Sequence, residues 1–175
     1  MKKTVYFALA TAMVLTLAGC QKEEKQVIDV SKTVGESSEE TVAEAEKTVD
    51  AAMLASSLLG EISYDDTLTE VTLDTAKMFL NIADVEIEES YIYESSGATA
   101  EEIVVLKCKD SDGAANAKKA FEERVSEQTD NFTDYVPEEV PKLKDAVIIT
   151  SKEYAVLSVS GDSSKAKDII EGAFK

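Results

Sequence analysis

Histidine and tryptophan are absent from the 175-residue chain, and proline and cysteine occur only twice each. Without histidine there is no Ser-His-Asp or Cys-His nucleophile and no His-bearing zinc site. Positive charge is scarce as well. The chain holds 18 Lys and Arg against 35 Asp and Glu, a formal charge of −17. Nucleic acid is therefore not an expected partner, because affinity for it comes mainly from Lys and Arg neutralising phosphates. Long apolar runs are limited to one, at the N-terminus. A chain of this length suits one domain of roughly 100–200 residues with a leader and a tether.

That apolar run begins after Lys2 and Lys3 and extends from Val5 to Ala18, broken only by Thr11 and Thr16. Its fourteen residues would span roughly 21 Å as a helix, short of the roughly 30 Å hydrocarbon core of a bilayer. Small residues and a cysteine follow, as in a cleaved export signal. Leu17-Ala18-Gly19-Cys20 resembles the bacterial lipobox, in which the cysteine thiol receives a diacylglyceryl group and becomes the new N-terminus. Residues 1–19 are thus read as a signal peptide and Cys20 as the lipidated residue, with the rest facing the extracytoplasmic side of the cell membrane. Two acyl chains anchor firmly at about 0.8 kcal/mol per buried CH₂. Cleavage would leave 16 basic and 35 acidic residues, a charge of −19. Anionic lipid repels such a body, so the anchor alone would hold it there.

Residues 20–40 are polar, acidic and free of aromatics, and read as a tether whose reach is about 25 Å. Residues 41–175 read as one α+β domain. Val42, Ala45, Val49, Ala52, Ser56 and Leu59 recur at helical spacing, with Gly60 as the cap. An extended segment follows, then a short helix capped by Asp74 and carrying Ala76, Phe79 and Leu80. The period then changes to two. Val85, Ile87, Tyr91 and Tyr93 share one strand face, with Ile92 the exception. Through the turn at Gly97 this strand pairs with Ile103 to Lys109, whose Val104, Leu106 and Cys108 face the core.

The longest helix is predicted from Gly113 to Asn131, with a stripe of Ala114, Ala117, Phe121, Val125, Gln128 and Phe132. Pro137 and Pro141 make the next stretch irregular or give it single helical turns. A second hairpin, Ala146–Thr150 with Tyr154–Ser160, leads through Gly161-Asp162-Ser163 to a helix with Ala166, Ile169, Ile170 and Ala173 inward. The expected architecture is two layers, a four-stranded antiparallel sheet of two hairpins packed under helices. Cys108 has no partner once Cys20 is acylated and reads as a small buried hydrophobe.

Residues 48–175 resemble a family of small bacterial lipoproteins, mostly Gram-positive, catalogued only as a domain of unknown function. The resemblance rests on Ser95-Ser96-Gly97-Ala98-Thr99-Ala100-Glu101-Glu102-Ile103, on Phe132-Thr133-Asp134-Tyr135-Val136-Pro137-Glu138-Glu139 and on the closing strand–helix unit. It implies an envelope lipoprotein and carries no activity or ligand with it.

Catalytic motifs are incomplete. Ser164 and Lys167 have the S-x-x-K spacing of penicillin-recognising enzymes, but S-D-N and K-T-G elements are missing. Adjacent acids such as Asp65-Asp66, Glu88-Glu89, Glu101-Glu102 and Glu138-Glu139 point to opposite faces of a strand, so they say little about a facing catalytic pair. Asp110-Ser111-Asp112-Gly113 would put Cys108 and Lys119 at calcium-loop positions that need oxygen ligands, so it reads as a turn and helix cap. No catalytic residue, cofactor or metal site is expected. Candidate binding residues are Tyr91 and Tyr93, whose phase with Val85 and Ile87 reads first as core, and Tyr135 and Glu138 on the proline-bearing segment, which reads equally as packing over a sheet edge. The expected function is a membrane-anchored, non-enzymatic binding or adaptor module whose partner is an envelope protein, peptide or small ligand. The alternatives are a carboxylate-based cell-wall hydrolase and a small solute-binding component of a transport system.

Overall fold

Asp50 starts the first helix. Its carboxylate accepts a hydrogen bond of 2.9 Å from the Met53 amide, and α1 runs Ala51–Glu61. The computed structural model describes residues 48–175, so the signal peptide, Cys20, the tether, Val42 and Ala45 lie outside the described residues. Residues 48–50 are not helical, and the buried set is Ala51, Leu54, Ala55 and Leu58 rather than Val49, Ala52, Ser56 and Leu59. The expected stripe is wrong by one residue because Asp50 takes the cap and the Leu54/Leu58 pair offers more apolar area than Ala52 and Ser56. Gly60 lies inside the helix, which ends on buried, extended Ile62.

The sheet has five strands, all antiparallel, in the order β1-β2-β3-β5-β4: Thr69–Glu70, Ile87–Glu94, Glu102–Cys108, Tyr154–Val159 and Val147–Ser151. The two expected hairpins are β2/β3 and β4/β5, joined through β3 and β5. The strand missed from sequence is β1, two residues that pair with Glu94 and Tyr93 at the edge. Such a short strand has no periodicity to read.

Helices cover both faces of the sheet, which corrects the expected two layers to three. Val104, Leu106, Cys108, Ala155, Leu157 and Val159 share one core with Phe121 and Leu143. Ile103, Val105, Tyr154 and Val156 share the other with Leu54, Leu58, Ala166 and Ile170. The near-continuous apolar runs of β3 and β5 carry the physical signature of strands buried on both sides. A bulge at Glu88 explains the mixed pattern of β2, since Ile87 lies opposite Cys108 while Glu89 lies opposite Lys107. Val85 and Ile87 therefore pack with Ile92 in the first core, and Tyr91 and Tyr93 pack against the second.

One core lies under α3, Ser111–Tyr135, which extends the predicted helix at both ends. Asp110 caps it by accepting from the Gly113 amide at 2.8 Å. A Cβ at Gly113 would come within 3.0 Å of Cys108 Cβ, so glycine allows the helix to start close to the sheet. The thiol of Cys108 is buried, and burial with Asp110 nearby raises its pKa to about 11. The short helix α2, Leu73–Ala76, is capped by Thr72 rather than Asp74, which sits in its first turn. After α3 come a 3-10 turn, Pro137–Glu139, and α4, Val140–Lys144, which brings Leu143 into the core. The last helix, α5, is Ser163–Ala173, with Ala166 and Ile170 buried. Among the described residues, no helix is long and apolar enough to cross a membrane.

Candidate functional site

The register of the β2/β3 hairpin sets Glu94 directly opposite Glu102. Both alternate in phase with Ile92 and Val104, so both carboxylates stand on the α3 side of the sheet. Like charges opposite one another on a sheet repel. The only arginine in the chain, Arg124 of α3, answers both. Its Nη2 donates to Glu94 Oε1 at 3.0 Å and its Nε to Glu102 Oε2 at 3.2 Å. The guanidinium also lies 4.6 Å from the centre of the Phe79 ring.

This bridge leaves one atom without a partner. Glu102 is 3 % exposed, and its Oε1 accepts no hydrogen bond. Burial pushes the Glu102 carboxyl up to about 7, with Arg124 pulling it down and Glu94 pushing it further up. Burial raises Glu94 as well, with Arg124 partly offsetting it.

On α3 the spacing from Arg124 to Gln128, then Asn131 and Phe132, then Tyr135 puts these side chains on one helical face. That face and the hairpin tip enclose a pocket of about 270 Å³. Its lining includes Glu102, Arg124, Gln128, Asn131, Phe132 and Tyr135. The tip is held in shape by Gly97 at φ 89° and by Ser95 Oγ donating to the Thr99 carbonyl at 2.7 Å.

A second polar cluster braces the tip. Glu101, buried, accepts from the amides of Asp65 at 2.9 Å and Asp66 at 3.0 Å, and from Lys142 Nζ at 3.1 Å. Glu139 accepts from the Ala100 amide at 3.0 Å and lies 3.0 Å from Lys142 Nζ. Burial disfavours the Lys142 charge, but hydrogen bonds to Asp65, Glu139 and Glu101 outweigh it and hold the ammonium above the ordinary lysine range. All of these acceptors are partnered, so the cluster is a clamp that fixes the tip against α4 and the 65–66 turn.

Of the four residues singled out from sequence, only Tyr135 reaches the pocket, on its exposed lip. Glu138 is exposed in the next turn and does not line it. Tyr91 and Tyr93 are half-buried on the opposite face of the sheet, against the second core, and take no part. Glu101, just before β3, and Glu102, its first residue, bond different cations, Lys142 and Arg124, and the facing pair is Glu94 with Glu102. Sequence reasoning missed Glu94, Glu102, Arg124 and Asn131. Lys167, exposed, lies 3.7 Å from Glu171 on its own helix, and Asp110 serves as a cap.

These features define a small α+β domain with a pocket at one end of its sheet, built on a charged cross-strand triad. Residues 61–160 match the family model described as Domain of unknown function (DUF4358), and the chain belongs to that family. The matched span contains every residue lining the pocket. No curated protein and no solved structure matches the chain.

Proposed function

We propose that the protein is a lipid-anchored, extracytoplasmic lipoprotein whose domain is a non-enzymatic binding module, with the pocket beneath the 95–101 tip as its ligand site. The signal-like leader and Cys20 support the address. The observation that carries the binding reading is Glu102 Oε1, a buried carboxylate oxygen with no protein donor on a residue that lines the pocket. Leaving such an atom unmatched costs about 1–3 kcal/mol, more for a charged group, and a bound ligand recovers it. The clamp around Glu101 supports the same reading, since it holds the tip in place before any ligand arrives.

The test uses full-length protein extracted from cells with its anchor. Small molecules from the envelope fraction should raise its melting temperature, and Asn131→Trp, which fills the mouth from an exposed position, should cancel that rise. An equal response from parent and variant would exclude this pocket. Palmitate labelling of the parent but not of Cys20→Ala tests the anchor.

A hydrolase is the second reading. It is favoured by one observation, the facing carboxylates with a raised pKa on Glu102, as in glycosidases that pair an acid with a nucleophile. Arg124 weighs against it, because its guanidinium pairs with one oxygen of each acid and so favours the ionised form over the protonated acid that a glycosidase needs. Release of soluble fragments from cell-wall polysaccharide by the parent, lost in both Glu94→Gln and Glu102→Gln, would favour the hydrolase over the binding module.

A further inference from the structure

We propose that the pocket takes a small organic molecule through a protonated amine, which donates to Glu102 Oε1 while Phe132 and Tyr135 cover its body. This rests on the reading of the pocket as the ligand site and adds the chemical class of the ligand.

The charge balance of the triad points to a cation. Glu94 and Glu102 share one guanidinium, so with both ionised the triad carries one uncompensated negative charge. Lys142 serves Glu101 on the other side of the tip and does not touch either of these acids. An inorganic divalent cation needs about six oxygen ligands, and here one carboxylate oxygen of each acid is already taken by Arg124. An ammonium needs only a few acceptors and brings its own charge. The rest of the lining suits an organic body. Phe132 and Tyr135 offer aromatic surface, and Gln128 and Asn131 offer amides. A volume of about 270 Å³ limits the occupant to a small molecule or the end of a larger one.

The groups facing Glu102 are Glu94 from β2 and Arg124 from α3. Arg124 does not titrate in the working range. Binding of an amine therefore competes with the proton that Glu102 takes up near neutrality, with Glu94 adding to the same trend.

The full chain with its anchor, held in nanodiscs of neutral phospholipid, is titrated with tyramine and with N-acetyltyramine and followed by saturation-transfer NMR. Tyramine should bind at least about tenfold more tightly than its acetylated form, the cost of leaving one charged acceptor unmatched. Its affinity should rise about tenfold from pH 6 to pH 8 as Glu102 ionises. Glu102→Gln should abolish both the preference and the pH dependence. Tyr135→Ala, at an exposed position that the fold does not need, should weaken both probes and leave the preference intact. The source of the amine is separated by glucosamine against N-acetylglucosamine and by Ala-Ala against N-acetyl-Ala-Ala. Either amine exceeding its acetylated form supports the proposal and names the source. Equal, Tyr135-dependent binding of amine and acetylated probes overturns the amine and leaves the pocket reading standing. Absence of Tyr135-dependent binding by any probe overturns both.

Discussion

Replacing Glu102 by Gln tests the physical basis of the site without any ligand. Below its ordinary value of 4.5 the carboxyl is protonated in both the folded and the unfolded chain, and its ionisation does not bear on stability. As pH rises from there to about 7, the unfolded chain releases the proton while the folded domain keeps it, so stability falls. Above about 7 both forms are ionised and the loss is complete. A displacement of this size corresponds to about 3 kcal/mol, of which about 2–3 kcal/mol develops between pH 5 and pH 8. Glutamine fills the same space, keeps an acceptor for Arg124 and does not titrate. In urea denaturation followed by circular dichroism, the stability of Glu102→Gln relative to the parent should therefore grow by that amount from pH 5 to pH 8. Taking the difference between the two proteins removes most of what other acids contribute. A difference that stays flat across this range would mean that Glu102 ionises as an ordinary surface acid, and the desolvated site would be refuted.

Three further outcomes follow from the same contacts. Arg124→Met leaves Glu94 and Glu102 facing each other unbridged, and should cost about 3–5 kcal/mol at pH 8 by denaturation and less at pH 5, where Glu102 holds its proton. Lys142→Met strips the cation from buried Glu101 and Glu139 and should cost about 3 kcal/mol. Because the folded ammonium titrates above the ordinary lysine value, the parent should keep this contribution up to the ordinary value of 10.5 and lose it only as pH rises past it. Gly113→Ala forces a methyl to 3.0 Å from Cys108 Cβ and should cost about 1–3 kcal/mol, with Cys108→Gly, which removes that Cβ, relieving part of it in a double-mutant cycle.

Both hairpins and the long helix were legible in the sequence because each carries a local signal: a turn residue at Gly97, alternation leading into β2, and a cap at Asp110 before a helical stripe. The third layer is harder to see, although the apolar runs from Ile103 to Leu106 and from Ala155 to Leu157 point to it. Alternation looks for one buried face, and strands buried on both sides offer none. The partners of Tyr91 and Tyr93 are hidden from the sequence for a related reason. A single extra residue at Glu88 changes the face of everything before it, and an extra residue leaves no mark in the periodicity.

The triad was closer to legibility than any of these, since Glu94 and Glu102 are each four residues from Ala98 in the middle of the hairpin tip. A hairpin centred on that residue must place the two acids opposite each other, and a pair of like charges on a half-buried face requires a cation from elsewhere in the chain. Arginine is the residue whose fork can serve two carboxylates at once, and the chain has only one. From Arg124, helical spacing leads to Gln128, Asn131, Phe132 and Tyr135, and so to the pocket. What no pattern in the sequence could supply is the count of hydrogen bonds. Arg124 satisfies one oxygen of Glu102 and not the other, and that remainder is a property of the folded geometry alone.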